Sequence, residues 1–313
     1  MMGTATRQSR KPLRPNKHRS LSKKLWRYKA IYLMVIPVFI YFAIFTFYPL
    51  VLGFIQSFQK VRLIGAPTFI GIENYKTTLS DPIFIRSMNN SLVVGTVSLL
   101  INLSVSITLA ISANEIRNRF AKSAIQTVTF LPYLFSWAVV GGMWLQILAH
   151  GGMVNDFLNA LGIARIPFFT SSAWGRPVIL FTNAWKQAGY FTVLLLASVV
   201  SIDPSIYEAA RIDGAARMKQ IRYIIIPQIL PTVKTLLVLG ATGVLRNFDQ
   251  VLIMNRPATK DSIRTLLLYI YEEGITKMKI GTATSAATIV LIITFVITII
   301  TRRLAKYDQD ASY

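Results

Sequence analysis

The run IYLMVIPVFIYFAIFTFYPLVLGFI, residues 31–55, contains no Asp, Glu, Lys, Arg or His. Three further stretches, 87–114, 123–155 and 280–301, contain no Asp, Glu, Lys or Arg. Each exceeds the ~20 residues that an α-helix needs to cross the hydrocarbon core of a bilayer. Only 15% of the 313 residues are charged and the mean hydropathy is +0.49, whereas soluble domains carry about 25% charged residues. These features predict a membrane protein that crosses the bilayer several times.

The predicted fold is all-α, with six membrane-spanning helices. The fourth predicted span contains Lys186, and the fifth contains Arg246 and Asp249. Charged side chains of this kind are tolerated in a span when they face the bundle interior or a wet cavity. The predicted spans are 31–55, 88–112, 124–148, 178–200, 233–253 and 282–301.

The distribution of positive charge predicts the orientation. Residues 1–30 hold ten Lys or Arg and no Asp or Glu, which is typical of a basic tail on the cytoplasmic side of a membrane. An even number of spans places both termini on the same side of the membrane. The tails and loops predicted on that side carry 20 Lys or Arg in total, whereas the loops predicted on the opposite side carry 11. We therefore predict cytoplasmic N- and C-termini, a membrane domain at 31–301 and a C-terminal tail at 302–313. No aromatic–basic module suggests that the charge binds nucleic acid.

Composition disfavours catalysis and metal binding. The chain has no cysteine, and its two histidines, His18 and His150, fall in different loops, so a zinc site is not expected. The dipeptide Gly-Lys does not occur, which excludes the phosphate-binding loop of ATPases. Neither paired carboxylates nor a Ser–His arrangement indicates an intramembrane enzyme. We predict no catalytic residue, no metal ligand and no cofactor bound by this chain.

The segment 203–231 differs from the other loops because it has a defined helical start and a glycine break. Asp203 before Pro204 is typical of a helix N-terminus, and Gly214 ends that helix before a second amphipathic stretch. The small residues of this segment would let another backbone approach closely; they are Ala209, Ala210, Gly214 and Ala215. Its charged residues would lie at the rim; they are Glu208, Arg211, Arg217 and Lys219. These residues alone are compatible with two structures for the segment: a cytoplasmic docking projection and an amphipathic loop that lies on the bilayer.

The motif Glu208-Ala-Ala-x-x-Asp213-Gly214-Ala215, followed by Ile224, Pro227 and Pro231, resembles the EAA loop of binding-protein-dependent ABC importers. In that family the loop forms coupling helices that seat in a groove on the ATPase subunit. The resemblance implies a non-catalytic permease subunit with the type I importer fold, in the bacterial cytoplasmic (inner) membrane. Its implied partners are a second permease, two ATPases that bind ATP and Mg, and an extracytoplasmic solute-binding protein. The implied coupling residues are Glu208, Ala209, Ala210, Asp213, Gly214 and Ala215.

Three other patches resemble signatures of carbohydrate-uptake permeases, and the resemblance covers residues 30–305. The patches are Phe69-Ile-Gly71-Ile-Glu-Asn74-Tyr75, Phe130-Leu-Pro132 and Asn247-Phe-Asp249. Thr129–Trp137 and Gly151–Asn155 most resemble permeases for fragments of acidic polysaccharides, such as alginate or pectin oligomers. One alternative is a phosphorylated polyol as the cargo. An ion-coupled secondary carrier is an alternative from another class, but it would require repeats and buried carboxylates.

Sugars are bound through aromatic faces and through amide and charged groups, which two of the predicted spans supply. Lys186 and Arg246 would be the counter-charges for an anionic cargo. Each candidate also has a structural alternative. Lys186 could extend to the membrane interface or pair with a neighbouring helix, and Trp185 and Tyr190 could serve as packing or interface aromatics. Arg246 could neutralise Asp249 on one helix face, which is the preferred interpretation of that pair. The candidate pathway residues are Asn183, Trp185, Lys186, Gln187, Tyr190, Arg246, Asn247, Phe248, Asp249 and Gln250.

Overall fold

The computed structural model describes residues 26, 28–62, 64–116 and 118–305. Most of the predicted N-terminal tail and the end of the predicted C-terminal tail lie outside these residues. The chain divides into two compact units, residues 1–53 and 54–313. In the described part of the chain, four helices are long and apolar enough to cross a membrane, or six if each of two bent helix pairs is one span. The all-α prediction is confirmed.

The first predicted span is a continuous apolar helix of 28 residues. Its parts are α1 (Lys29–Phe42), a π-helical turn (Ala43–Phe47) and α2 (Tyr48–Gln56). Pro37 lies inside α1, as membrane helices tolerate. At 1.5 Å of rise per residue the helix is about 42 Å long, which exceeds the ~30 Å hydrocarbon core. The prediction of a span at 31–55 is confirmed.

The loop after α2 is fixed by the patch that resembled a carbohydrate-permease signature. Its elements are β1 (Gln59–Lys60), antiparallel β2 (Thr68–Phe69) with Gln59 opposite Phe69, and α3 (Glu73–Ser80). The Asn74 side chain donates to the carbonyls of Ser57 and Gln59, each at 2.9 Å. The last helix approaches closely here, since a Cβ on Gly281 would lie 2.7 Å from the Asn74 amide nitrogen. Asn74 therefore has a structural role in joining this loop to the bundle.

Two long helices, α4 (Pro82–Glu115) and α8 (Ser172–Val200), form the centre of the second unit. They contain the second and fourth predicted spans. α4 alone is long and apolar enough to cross a membrane, which confirms the second span, whereas α8 passes that test only together with the helix Pro204–Ile212, from which it is bent by 66°. The Ser106 hydroxyl of α4 donates to the Ala188 carbonyl of α8 at 2.8 Å. Small residues allow such close packing, which drives helix association where lipid is as apolar as the side chains. The buried cluster around this contact includes Leu99, Leu103, Leu195, Leu196 and Leu236.

The third predicted span, 124–148, is wrong as a single helix. α5 (Arg119–Leu134) and α6 (Trp137–Ile147) meet at an angle of 102°. Between them Phe135 and Ser136 have extended backbone, and the Ser136 hydroxyl accepts the Val139 N–H at 3.4 Å as the cap of α6. The cap satisfies an amide that has no partner in the first turn. Hydropathy could not predict this break, because the residues beside Ser136 are as apolar as the rest of the run.

The fifth predicted span, 233–253, is also wrong, because the long apolar helix begins at Arg217 and ends at Ala241. Its parts are α10 (Arg217–Gln220), a π-helical turn (Ile221–Ile225) and α11 (Ile226–Ala241). Pro227 and Pro231 lie inside this continuous helix, after the π-helical turn, and do not end it, because membrane helices tolerate proline where neighbouring groups satisfy the freed carbonyl. After α11 the chain turns against α4, and a Cβ on Gly95 would lie 2.0 Å from the Val244 carbonyl oxygen.

The remaining elements are shorter, apart from the last helix. Asn155 holds the loop between α6 and α8: its buried amide donates to the carbonyls of Ala149 at 2.9 Å and Ile166 at 3.0 Å. The last helix confirms the sixth predicted span. The elements are α7 (Met153–Ala160), α9 (Pro204–Ile212), α12 (Asp249–Met254), α13 (Lys260–Ile263), α14 (Leu266–Tyr271), a π-helical turn (Glu272–Thr276) and α15 (Ile280–Leu304).

Candidate functional site

The loop between α8 and α11 holds the predicted coupling residues on a short structured projection. Gly214 has φ +72° and donates its N–H to the Arg211 carbonyl at 3.0 Å, while the Ala215 N–H donates to the Ala210 carbonyl at 2.8 Å. This pair of bonds is the Schellman motif, which satisfies carbonyls left free at a helix end. The glycine break predicted at this position is confirmed, and it fixes the direction in which the chain leaves α9.

The opposite end of α9 is also capped. The Asp203 carboxylate accepts the Ser205 N–H at 2.9 Å, and this hydrogen bond lowers the pKa of Asp203. Pro204 occupies the first turn, where its fixed φ suits the helix. A helix of nine residues is too short to be stable by propensity alone, so these two caps explain why the projection is ordered.

The surface of the projection combines charge with exposed apolar side chains. Glu208, Ala209, Asp213 and Gly214 are exposed, whereas Ala210 and Ala215 are half-buried. Ile212 is 87% exposed and Met218 is 73% exposed. The sequence analysis missed these two residues, although two large apolar side chains beside a glycine turn are a signal of a docking surface.

Arg217 connects the projection to the bundle. Its guanidinium donates through Nε to Glu115 Oε2 at 2.8 Å and through a second nitrogen to Glu115 Oε1. It also donates to Gln220 Oε1 at 2.8 Å and lies 5.7 Å from the centre of the Tyr207 ring. One side chain therefore contacts the end of α4, α9 and α10. The sequence placed Arg217 only at the charged rim, and Glu115 could not be identified as its partner because the two lie 102 positions apart.

A polar cavity of about 280 Å³ lies between α4, α8 and the turn that follows α11. It brings together four predicted pathway residues, which are Asn183, Gln187, Tyr190 and Asn247. The cavity is also lined by polar residues that the sequence did not single out, which are Ser98, Asn102 and Tyr133. Serine and asparagine within an apolar run are the signal that could have identified the α4 side of the cavity.

The amide groups around this cavity form one hydrogen-bonded network. Gln250 is fully buried and donates to the Ile179 carbonyl and the Thr182 hydroxyl, both at 2.8 Å. Its Oε1 accepts from Asn183 at 3.2 Å and from Asn247 at 3.0 Å. Gln250 therefore positions two cavity residues and does not itself line the cavity.

Two tyrosines form an aromatic surface on the cavity wall. The rings of Tyr133 and Tyr190 are stacked, with centroids 4.9 Å apart and an interplanar angle of 19°. Tyr133 is in the last turn of α5, beside the break, and Tyr190 is on α8. Gly189 permits this approach, because a Cβ there would lie 2.2 Å from the Thr129 carbonyl oxygen. The predicted packing role of Tyr190 and its predicted pathway role are thus compatible.

Lys186 is enclosed and does not line the cavity. The residue is only 5% exposed, and its Nζ donates to the Tyr133 carbonyl at 3.0 Å. Nζ also lies 5.3 Å from the Tyr133 ring centroid and 5.4 Å from that of Trp137. No carboxylate in the described part of the chain lies within 4.0 Å of it.

The remaining candidates lie elsewhere. Trp185 is 40% exposed and packs edge-on against Trp144 at 5.5 Å, beside an apolar groove. Phe248 contacts the Tyr271 ring at 5.5 Å. Arg246 and Asp249 are both exposed, and no ion pair joins them within the described residues. The preferred interpretation of that pair is therefore wrong: Arg246 lies in the turn after α11 and Asp249 starts α12, so they do not share a helix face.

A bundle of membrane-length helices with a polar internal cavity and a capped helical projection defines the class of membrane transport subunits. The chain belongs to the family described as binding-protein-dependent transport system inner membrane component, whose family model matches residues 102–307. It is therefore a multi-pass inner-membrane permease subunit. The family predicted from the resemblance of Glu208–Ala215 to the EAA loop is confirmed.

Relatives of known role match nearly the whole chain. The polygalacturonan/rhamnogalacturonan permease protein YteP of Bacillus subtilis is 28% identical over 95% of this chain and 94% of its own length. The arabinooligosaccharide permease protein AraP of the same organism is 28% identical over 88% of each chain. A chain from the crystal structure of a bacterial importer of the acidic polysaccharide alginate is 30% identical, with a TM-score of 0.85 over 91% of this chain and 98% of that one.

Proposed function

We propose that this subunit translocates oligosaccharides, including acidic ones, which an extracytoplasmic solute-binding protein delivers. The observation that supports this most directly is the cavity wall, where the stacked rings of Tyr133 and Tyr190 adjoin the amides of Asn183, Gln187 and Asn247. Flat aromatic surfaces beside amide groups suit the apolar faces and hydroxyl groups of sugar rings. Among the relatives are a polygalacturonan/rhamnogalacturonan permease protein and a solved importer of alginate.

An acidic cargo would require a positive partner along the route. Arg246 is the stronger of the two predicted counter-charges, because it is exposed and no carboxylate in the described residues pairs with it. Lys186 is enclosed and already hydrogen-bonded to a carbonyl. A solved alginate importer was crystallised with a periplasmic protein that held an alginate pentasaccharide, and its chain is 31% identical to this one over 91% of the chain.

The cavity of about 280 Å³ is smaller than the ~300–1,000 Å³ of ordinary ligand pockets. An oligosaccharide route would therefore be completed by a second permease subunit. Two ATPase copies would bind ATP and Mg and would dock on Glu208, Ala209, Ala210, Asp213, Gly214 and Ala215. These positions are exposed or half-buried on a capped helix, and the N- and C-termini would lie on the same, cytoplasmic side.

Uptake into proteoliposomes that contain the complete transporter tests the cargo. The parent protein is expected to import a neutral and an acidic oligosaccharide, and Asn183→Ala and Tyr190→Ala should each raise the KM for both. Arg246→Ala should raise the KM for the acidic oligosaccharide alone. Import of a phosphorylated polyol without competition by either oligosaccharide would contradict the proposal. Gln146→Ala is a matched control, because Gln146 is exposed on α6 and does not line the cavity.

A further inference from the structure

The break between α5 and α6 leaves backbone carbonyls without helical partners in the middle of an apolar run long enough to cross a membrane. The last four carbonyls of any α-helix lack an intrahelical N–H donor, and in hydrocarbon an unpaired carbonyl costs several kcal/mol. α5 ends at Leu134, so the Tyr133 carbonyl is one of these four. Its recorded donor is the Lys186 ammonium at 3.0 Å.

The Lys186 ammonium lies over aromatic rings on both sides of the break. Its Nζ lies over the ring of Tyr133, in the last turn of α5, and over the ring of Trp137, the first residue of α6. A cation near an aromatic face is attracted by the ring quadrupole, and more strongly when it is desolvated. One ammonium therefore interacts with both helices at the point where they separate by 102°.

We infer that Lys186 is a positioning residue that holds the α5–α6 break in its bent geometry. In doing so it keeps the Tyr133 ring stacked on Tyr190 at the cavity wall. This inference deepens the proposed function and rests on it only for the consequence at the cavity. The bent geometry itself can be tested without any cargo.

Enclosure separates this role from that of a direct ligand. Lys186 is 5% exposed and is absent from the lining of the polar cavity, so a sugar carboxylate has no access to the ammonium in this conformation. A lysine that bound an acidic cargo would discriminate between acidic and neutral oligosaccharides. A lysine that shapes the cavity wall affects both alike.

The absence of cysteine from the chain makes the distance measurement direct. Val128 on α5 and Val139 on α6 are 71% and 58% exposed and can be replaced by cysteine and labelled with nitroxides in the full chain. The parent should give one narrow distance distribution. Lys186→Met, which keeps the length of the side chain but removes the donor and the charge, should broaden that distribution or add a second distance. Lys76→Met is the matched control and should match the parent, since Lys76 is exposed and its recorded side-chain partner is Glu73 at 3.8 Å.

The same narrow distribution in folded Lys186→Met and in the parent would overturn the inference. A second measurement needs no variant at Lys186. Treatment of the reconstituted protein with a water-soluble amine reagent, followed by peptide mass spectrometry, should modify Lys76 and leave Lys186 unmodified. Modification of Lys186 that an acidic oligosaccharide prevents would also overturn the inference, because it would make Lys186 a ligand.

Uptake assays then separate this inference from the proposed function. Lys186→Met should reduce the uptake of a neutral and an acidic oligosaccharide by the same factor, roughly ten-fold, as expected for loss of a hydrogen bond from a charged donor. Loss confined to the acidic oligosaccharide would contradict the positioning role. Failure of the parent to import either oligosaccharide would contradict the proposed function, while the distance measurement would still decide the role of Lys186.

Discussion

Arg217 at the start of α10 binds Glu115 at the end of α4 through two guanidinium nitrogens, with the Nε–Oε2 distance at 2.8 Å. The two side chains are 37% and 40% exposed. The planar fork of arginine matches a carboxylate in this bidentate geometry, which lysine cannot reproduce. The pair joins the projection that carries Glu208 to α4, a helix that lines the polar cavity, so it is a side-chain link between the two candidate sites.

Breaking this pair should weaken the transmission of movement more than it weakens the fold. Arg217→Ala and Glu115→Gln are each expected to lower ATP-driven uptake, while a double-mutant cycle on the free energy of unfolding should give a coupling of only about 1 kcal/mol, because the pair is partly exposed to solvent. Glu73 and Lys76 are the control pair, at 3.8 Å and more exposed, and their removal should leave uptake unchanged. Full uptake in both Arg217→Ala and Glu115→Gln would contradict the link.

Replacement by alanine should have opposite effects on stability at Gly214, which has a positive φ, and at Gly142, which is inside a helix. Gly214→Ala should destabilise the end of α9 by about 1–2 kcal/mol, since a Cβ is strained in the left-handed conformation. Gly142→Ala should stabilise α6 by about 0.5–1 kcal/mol, because Gly142 is inside a helix and a Cβ there would meet no atom within 4 Å. Hydrogen exchange of the two segments measures both. Unchanged protection around Gly214 in the alanine variant would contradict the Schellman geometry.

The approach of α8 to α5 at Gly189 should be intolerant of any side chain. A Cβ there would lie 2.2 Å from the Thr129 carbonyl oxygen, so the backbones must separate. Gly189→Ala is expected to cost about 1–3 kcal/mol, as overpacking does, and to reduce uptake because it displaces the Tyr133–Tyr190 stack. The thermal unfolding of the purified protein measures the loss of stability, with Gly142→Ala as the control. An unchanged melting temperature in Gly189→Ala would mean that the helices are farther apart than in this structure.

Gln250 should behave as a structural residue and not as a sugar ligand. Gln250→Leu leaves the half-buried Asn183 and Asn247 side chains without their common acceptor and removes the hydrogen bonds that Gln250 donates to Ile179 and Thr182. Each lost hydrogen bond costs roughly 0.5–1.5 kcal/mol. The variant should therefore lose thermal stability as well as uptake. Gln146→Leu, at an exposed position on α6, should retain both. A Gln250→Leu protein of parental stability that loses only affinity for sugar would contradict this assignment.

The sequence predicted those parts of the fold that depend on hydrophobic length. The spans at 31–55, 88–112 and 282–301 follow from uncharged runs that only a bilayer can accommodate, and the span at 178–200 was accepted because a charged side chain is tolerated when it faces the bundle interior. The helix start at Asp203 and the break at Gly214 were also predictable, because capping and positive φ are local properties of a few residues. The resemblance of Glu208–Ala215 to the EAA loop supplied the family.

Tertiary contacts decided what the sequence did not predict. The bend at Ser136 needs one hydroxyl cap inside an apolar run, so the third span was predicted in the right place but without its break. The early start of α10 needs prolines to be tolerated in a long helix, so the fifth span was misplaced. Asn183, Gln187 and Tyr190 were candidates in one predicted span and Asn247 in the next, but only packing distinguishes them from Trp185, which faces another groove. Lys186 was an ambiguous candidate because its carbonyl partner exists only where α5 stops.

The most direct test of the coupling role of residues 203–231 is the charge reversal Glu208→Lys in the complete transporter. We expect that the ATPase subunits no longer co-purify with this variant and that ATP-driven uptake is lost. Glu73→Lys, an exposed charge reversal far from the projection in sequence, should retain both properties. Parental co-purification together with parental uptake in Glu208→Lys would contradict the claim that residues 203–231 transmit the movement of the ATPase to the membrane helices.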